Sequence, residues 1–186
     1  MTSTISRLRA VFTLALALLA ISAAPSVAAN GSTKLALDPA TAEALTALGV
    51  TPAPIGPARA TSDGRIAFPI RNGFRSYLRS GKIRHGGGLT LTAGQTTVAL
   101  KRFVLDPLRG ELSANVGNAR VPILALGLTT AQPALNEGTW HLDGITAALT
   151  PTAADALDGA FGLDPGTVPA GLPLGTLTLS FRAFKR

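Results

Sequence analysis

No cysteine occurs among the 186 residues, and that absence removes several readings at once. Disulfides cannot hold the fold, a lipoprotein anchor would need a cysteine at its cleavage point, and cysteine zinc centres are excluded. Only two histidines are present, His85 and His141, in no metal-ligand spacing, so no structural zinc site is expected. One tryptophan, Trp140, and one tyrosine, Tyr77, offer few stacking platforms, and no nucleic-acid recognition motif occurs, so no nucleic-acid partner is expected. The ten acids are scattered rather than paired for glycoside hydrolysis. Ser76 and Ser80 near His85 sit in no nucleophile-elbow pattern, and GKIRHGGGL leads into the strand-like LTLT rather than a helix, unlike a phosphate loop. The chain therefore reads as a non-enzyme.

Long apolar runs are equally scarce. The one that occurs, VFTLALALLAISAAP, follows Arg7 and Arg9 and precedes SVAAN, whose small residues have the spacing of a signal-peptidase site. From Val11 to Ala24 it is too short to span roughly 30 Å of hydrocarbon. Residues 1–29 are expected to be a secretory signal peptide and residues 30–186 a single domain, with no transmembrane segment after cleavage. The mature protein is expected to be secreted or associated with the cell envelope.

Losing Arg7 and Arg9 lowers the net charge from +7 to +5. Eight cations and no acid stand between Gly64 and Leu105, Arg75, Arg79, Lys82 and Arg84 among them. A one-sign segment attracts anions such as propionates, phosphates, acidic polymers or anionic lipid. It also suits solvated outer faces of strands, where cations discourage edge-to-edge pairing.

Twenty glycines and thirteen prolines punctuate the chain instead of pooling in a linker. Between them lie segments of strand length, such as RIAFPI, TTVALKRFVLD, GELSANVG, ARVPILALGL and GTLTLSFRAF, several alternating apolar with polar residues. An internal echo relates LALDPATAEALTALGVTPAP to AALTPTAADALDGAFGLDPG. Each copy reads as a strand, a capping Asp38 or Thr150, a proline at the first helical position, and a glycine stop at Gly49 or Gly162. The fold class is therefore mainly β, one sandwich or flattened barrel, with two short helices over 39–48 and 151–161 acting as a matched pair of lids. In GTWHLDG, alternation predicts Trp140 in the core and His141 in solvent.

From Phe68 to about Phe181 the sequence resembles the HtaA-type haem-transport-associated domain of secreted and surface proteins from high-GC Gram-positive bacteria. GFRSYL, GKIRHGGGLTL and LTPTAADAL carry the resemblance, in the family's order and spacing. It implies haem binding outside the membrane, in haem capture or transport, with Tyr77 as an axial ligand of the haem iron and His85 as its partner. Arg75 and Arg79 would face the propionates, and the partner would be haem or a haem-carrying protein. A phenolate is a hard anionic donor suited to Fe(III), and a histidine can bond to it or ligate directly.

The residues alone leave other roles open. Tyr77 also reads as a packed ring with its hydroxyl at the surface, and His85 as a structural histidine at a turn made by Gly86, Gly87 and Gly88. The alternative function is a cofactor-free envelope or surface β domain that binds anionic cell-wall polymers or another protein.

Overall fold

The computed structural model describes residues 31–72 and 74–182; the expected signal peptide and the last four residues lie outside them. Among the described residues the chain runs β1 (Gly31–Leu37), α1 (Pro39–Ala47), β2 (Val50–Ile55), β3 (Arg59–Ala60), β4 (Ile66–Pro69), α2 (Phe74–Ser80), β5 (Ile83–Arg84), β6 (Gly88–Ala93), β7 (Thr96–Asp106), β8 (Glu111–Val116), β9 (Ala119–Gly127), β10 (Gln132–Asn136), β11 (Thr139–Leu149), α3 (Pro151–Phe161) and β12 (Pro173–Arg182). The protein is mainly β, as its punctuation and alternation predict. In β12, for example, Leu177, Leu179 and Phe181 are buried while Thr178 and Ser180 between them are partly open.

The strands form one sheet in the order β2-β6-β7-β8-β9-β11-β12-β1-β4-β3, curled into a nearly closed barrel. The closure depends on β7, which is long and bulged. Its first half pairs with β6, and Val104 and Leu105 in its second half pair with β5. Between the halves Arg102 takes φ 54°, and the extra residue leaves Lys101 and Arg102 both exposed before Phe103 turns back into the core. The segment 83–86 then spans the gap to β4. The His85 N–H donates to the Phe103 carbonyl at 2.9 Å, the Gly86 N–H to the Pro69 carbonyl at 2.8 Å, and the Arg71 N–H to the Arg84 carbonyl at 2.8 Å. An isolated bridge pairs Ile70 with His85.

Helices α1 and α3 leave the barrel at one end, where Leu37 pairs with Gly175 and Ala148 with Pro173. Both begin as the sequence predicts. The Asp38 side chain accepts from the Ala40 N–H at 3.3 Å, that of Thr150 accepts from the Ala153 N–H at 3.1 Å, and a proline follows each cap. Gly162 caps α3 at φ 65°, and Gly49 takes the same φ after α1. Asp158, buried on α3, fixes the return loop by accepting from the Gly166 and Val168 N–H groups at 2.7 and 2.9 Å.

Two features depart from the sequence expectation. A third helix, α2, occupies Phe74–Ser80. Trp140 is 40% exposed rather than in the core, while His141 is partly buried. The reason is the β10–β11 hairpin, in which every β10 residue is exposed, so that Trp140 stands where the sheet has no covering layer.

Candidate functional site

At the end opposite α1 and α3, residues facing one another across successive strands form a row. Leu135 pairs with Trp140, Trp140 with Phe181, and Phe181 with Gly31. The Ile70 N–H donates to the Gly31 carbonyl at 2.9 Å, and Ile70 bridges to His85. Directly opposed residues share a face, so this row forms a rim that contains Trp140, Phe181 and His85.

Helix α2 is an excursion from this rim between β4 and β5. Asn72 ties its base: its Nδ2 donates to the Lys82 carbonyl at 2.8 Å and its Oδ1 accepts from the Arg84 N–H at 2.7 Å. The Gly81 N–H closes the last turn on the Tyr77 carbonyl at 2.7 Å. Tyr77 is partly buried, and its ring meets that of Phe181 edge-on, with centroids 5.9 Å apart. Phe181 and His85 are three strand spacings apart on the rim, about 14 Å measured along the sheet.

The cations divide among separate surroundings. Arg79 is exposed on α2, and the side chain of Arg75 lies outside the described residues. Lys82 pairs with Asp106 at 3.7 Å. Arg84 belongs with Arg102 and Arg120 around the β7 bulge, where an Arg120 guanidinium nitrogen donates to the Arg102 carbonyl at 3.0 Å and the Ser113 hydroxyl at 3.2 Å. Burial, and then the like charges of Arg84 and Arg102, lower the Arg120 pKa.

His85 is 4% exposed. Its Nε2 and the Thr33 Oγ1 share a hydrogen bond of 2.7 Å, while Nδ1 has no partner. Burial lowers the imidazole pKa to about 4 against the smaller raising effect of the bond to the Phe103 backbone, so the ring is neutral at neutral pH.

His85 and Thr33 also line an interior cavity of about 370 Å³ that extends along the barrel to α1 and α3. Leucine, valine, isoleucine, alanine and phenylalanine make most of its wall, and none of its lining residues is charged. Leu45, Leu48, Leu157 and Phe161, the echoed apolar residues of the two lids, all face it. Tyr77 and Arg79 are not among its lining residues.

No local pattern in the sequence marks Thr33, Arg120 or the cavity itself. Thr33 lies 52 positions from the histidine it bonds, and only the strand order of the barrel brings the two together. Among the described residues no three His, Cys, Asp or Glu side chains gather as metal ligands, and no helix is long and apolar enough to cross a membrane. No protein-family model matches the chain, and no curated protein matches it in sequence.

Proposed function

We propose that the protein is a secreted haem-binding protein that resembles the HtaA type and takes part in haem capture or transport. One observation carries the reading: the only tyrosine stands partly buried over an aromatic rim, and the same rim passes through His85. The donor set fits the group. When bound, haem would supply Fe(III), which accepts axial ligands and favours an anionic oxygen such as the Tyr77 phenolate. His85 stays neutral, and its buried Nδ1 is the one ring nitrogen without a partner. Arg79, with Arg75, would complement the propionates. The interior cavity is the wrong place for a dianion, because none of its lining residues is a cation and an unpaired buried charge is costly. The partner would be haem or a haem-carrying protein.

Titrating purified protein with haemin is expected to give a shifted Soret band, and Tyr77→Phe to weaken binding at least about tenfold, equivalent to about 1.4 kcal/mol. No shifted band, or one that survives Tyr77→Ala combined with His85→Ala, would overturn the reading.

The arginine cluster favours a second reading, an envelope domain that binds anionic cell-wall polymers. Arg84, Arg102 and Arg120 are exposed, and among the described residues none of them pairs with a carboxylate. Like charges held together without an acid are relieved by an external anion. On this reading, Arg84→Gln with Arg102→Gly weakens binding to soluble polyphosphate at low salt by about threefold per arginine, roughly 0.7 kcal/mol each. The glycine suits the positive φ at 102, and unchanged binding by the double variant would exclude the cluster.

A further inference from the structure

We propose that the barrel interior, which meets the rim only at His85, is a second binding site, for a neutral apolar molecule of about twelve to fifteen non-hydrogen atoms that enters between α1 and α3. The size follows from the volume. The cavity holds about 370 Å³, and an interior apolar ligand takes roughly 25 to 30 Å³ per heavy atom.

The chemistry follows from the wall. No lining residue is charged, which disfavours a carboxylate or an amine. Its polar side chains are Thr33, Thr41, Thr167 and His85, and the three hydroxyls are already engaged. Thr33 bonds His85, Thr41 donates to the Pro173 carbonyl, and Thr167 donates to the Asp164 carbonyl at 2.6 Å. The one polar side-chain atom of the wall left without a partner is the buried His85 Nδ1, so a ligand gains mainly through apolar contact and has use for at most a single neutral hydrogen-bonding group. An empty void is destabilising in proportion to its volume, and apolar walls hold water poorly, so a neutral apolar occupant satisfies the cavity best.

The path in is also marked. Ala44 on α1 and Leu48 at its C-terminal cap, and Ala156 and Ala160 on α3, line the cavity yet are exposed to solvent. The interior thus reaches the surface between the two helices, at a mouth edged mostly by alanine. α1 rests on β2 and β12 and α3 on β9 and β7, so each lid is seated on its own part of the barrel. The two echoed strand-helix-strand segments form the two sides of this one entrance.

The test uses the neutral fluorophore 1-aminoanthracene with protein refolded from urea, which strips any co-purified occupant, after its circular dichroism has matched that of the native protein. Saturable one-to-one binding is expected. At about pH 8, 1-dodecanol should displace the probe at least about tenfold more effectively than dodecanoate, which matches it in length but carries a charge. Ala160→Trp, at an exposed helical position that the fold tolerates, should weaken probe binding at least about tenfold, whereas Tyr77→Ala should leave it unchanged. A refolded protein that binds no probe overturns the proposal. So does equal displacement by alcohol and carboxylate, or binding unaffected by a tryptophan at 160 in a variant with native circular dichroism. A probe signal lost with Tyr77→Ala would place the probe at the rim and also sink the interior site.

Discussion

Gly87→Ala is expected to destabilise the protein by about 2 to 5 kcal/mol, a large share of the roughly 5 to 15 kcal/mol that holds a domain folded. Two effects add at this position. Gly87 has φ 80°, where a side chain costs about 1 to 2 kcal/mol. A Cβ there would stand 2.5 Å from both the Ala58 nitrogen and the Ile55 carbonyl oxygen, and 2.8 Å from the Ala58 Cβ. Those backbone atoms belong to the turn between β2 and β3, closed by the Ala58 N–H on the Ile55 carbonyl at 3.1 Å, and they cannot retreat without breaking it. Crowding of this kind adds about 1 to 3 kcal/mol.

Two controls separate the effects. Gly117 has φ 57° and nothing within 4 Å of a Cβ, so Gly117→Ala should cost the backbone strain alone, about 1 kcal/mol. Gly86 has no positive φ, and its nearest atoms are the Pro57 Cγ at 3.0 Å and side-chain carbons of Arg71 at 3.3 Å, so relief needs shifts of only a few tenths of an ångström, unlike the 2.5 Å backbone contacts met at Gly87. Gly86→Ala should therefore be milder than Gly87→Ala. Urea unfolding midpoints at constant m-value provide the comparison. A Gly87→Ala loss within about 0.5 kcal/mol of the Gly117→Ala loss would show that the close approach does not matter.

That contrast explains what the sequence could and could not reveal. The helix caps were legible because Asp38, Thr150, the prolines after them and Gly162 act on neighbouring residues, so the signal and its effect lie within four positions. The strands of the meander were legible for the same reason. α2 was not, because GFRSYLRS begins on a glycine without a capping side chain and is too short to display a helical period. Trp140 was misplaced because alternation assigns a core face to every strand, and the exposed β10 edge leaves that part of β11 uncovered. The glycine triplet was legible as a turn, but what packs against Gly87 is the turn between β2 and β3, set by long-range pairing. Leu45, Leu48, Leu157 and Phe161 read alike whether they fill a core or line a cavity, so no pattern in the chain discloses the interior volume. For the site, Tyr77, His85 and the cations could be named, but their division between rim, ion pair and arginine cluster is set by register.

Acidification is expected to loosen the barrel closure through His85, at pH values where most carboxylates are still ionised. In the folded chain burial holds the imidazole pKa at about 4, and in the unfolded chain it returns to its ordinary 6.5. The unfolded state therefore binds a proton in a range where the folded state does not. The stability associated with neutral His85 is complete above pH 6.5 and is lost progressively as the pH falls from 6.5 to about 4, below which this group adds no further slope. The shift corresponds to about 3 kcal/mol over the whole window, of which about 2 kcal/mol is gone by about pH 5. The location makes the loss consequential. The His85 backbone bonds β7 through Phe103, the adjacent Gly86 bonds β4 through Pro69, and the ring bonds Thr33 on β1, so a charged ring strains the short segment that joins the two edges. His85→Gln removes the titration and should lower stability near neutral pH while flattening the profile across the window. Urea unfolding at a series of pH values from about 7.5 to 4 checks both. Parallel profiles for the wild type and the glutamine variant would mean that the imidazole is not held neutral by burial, and the structural role assigned to His85 would fail with it.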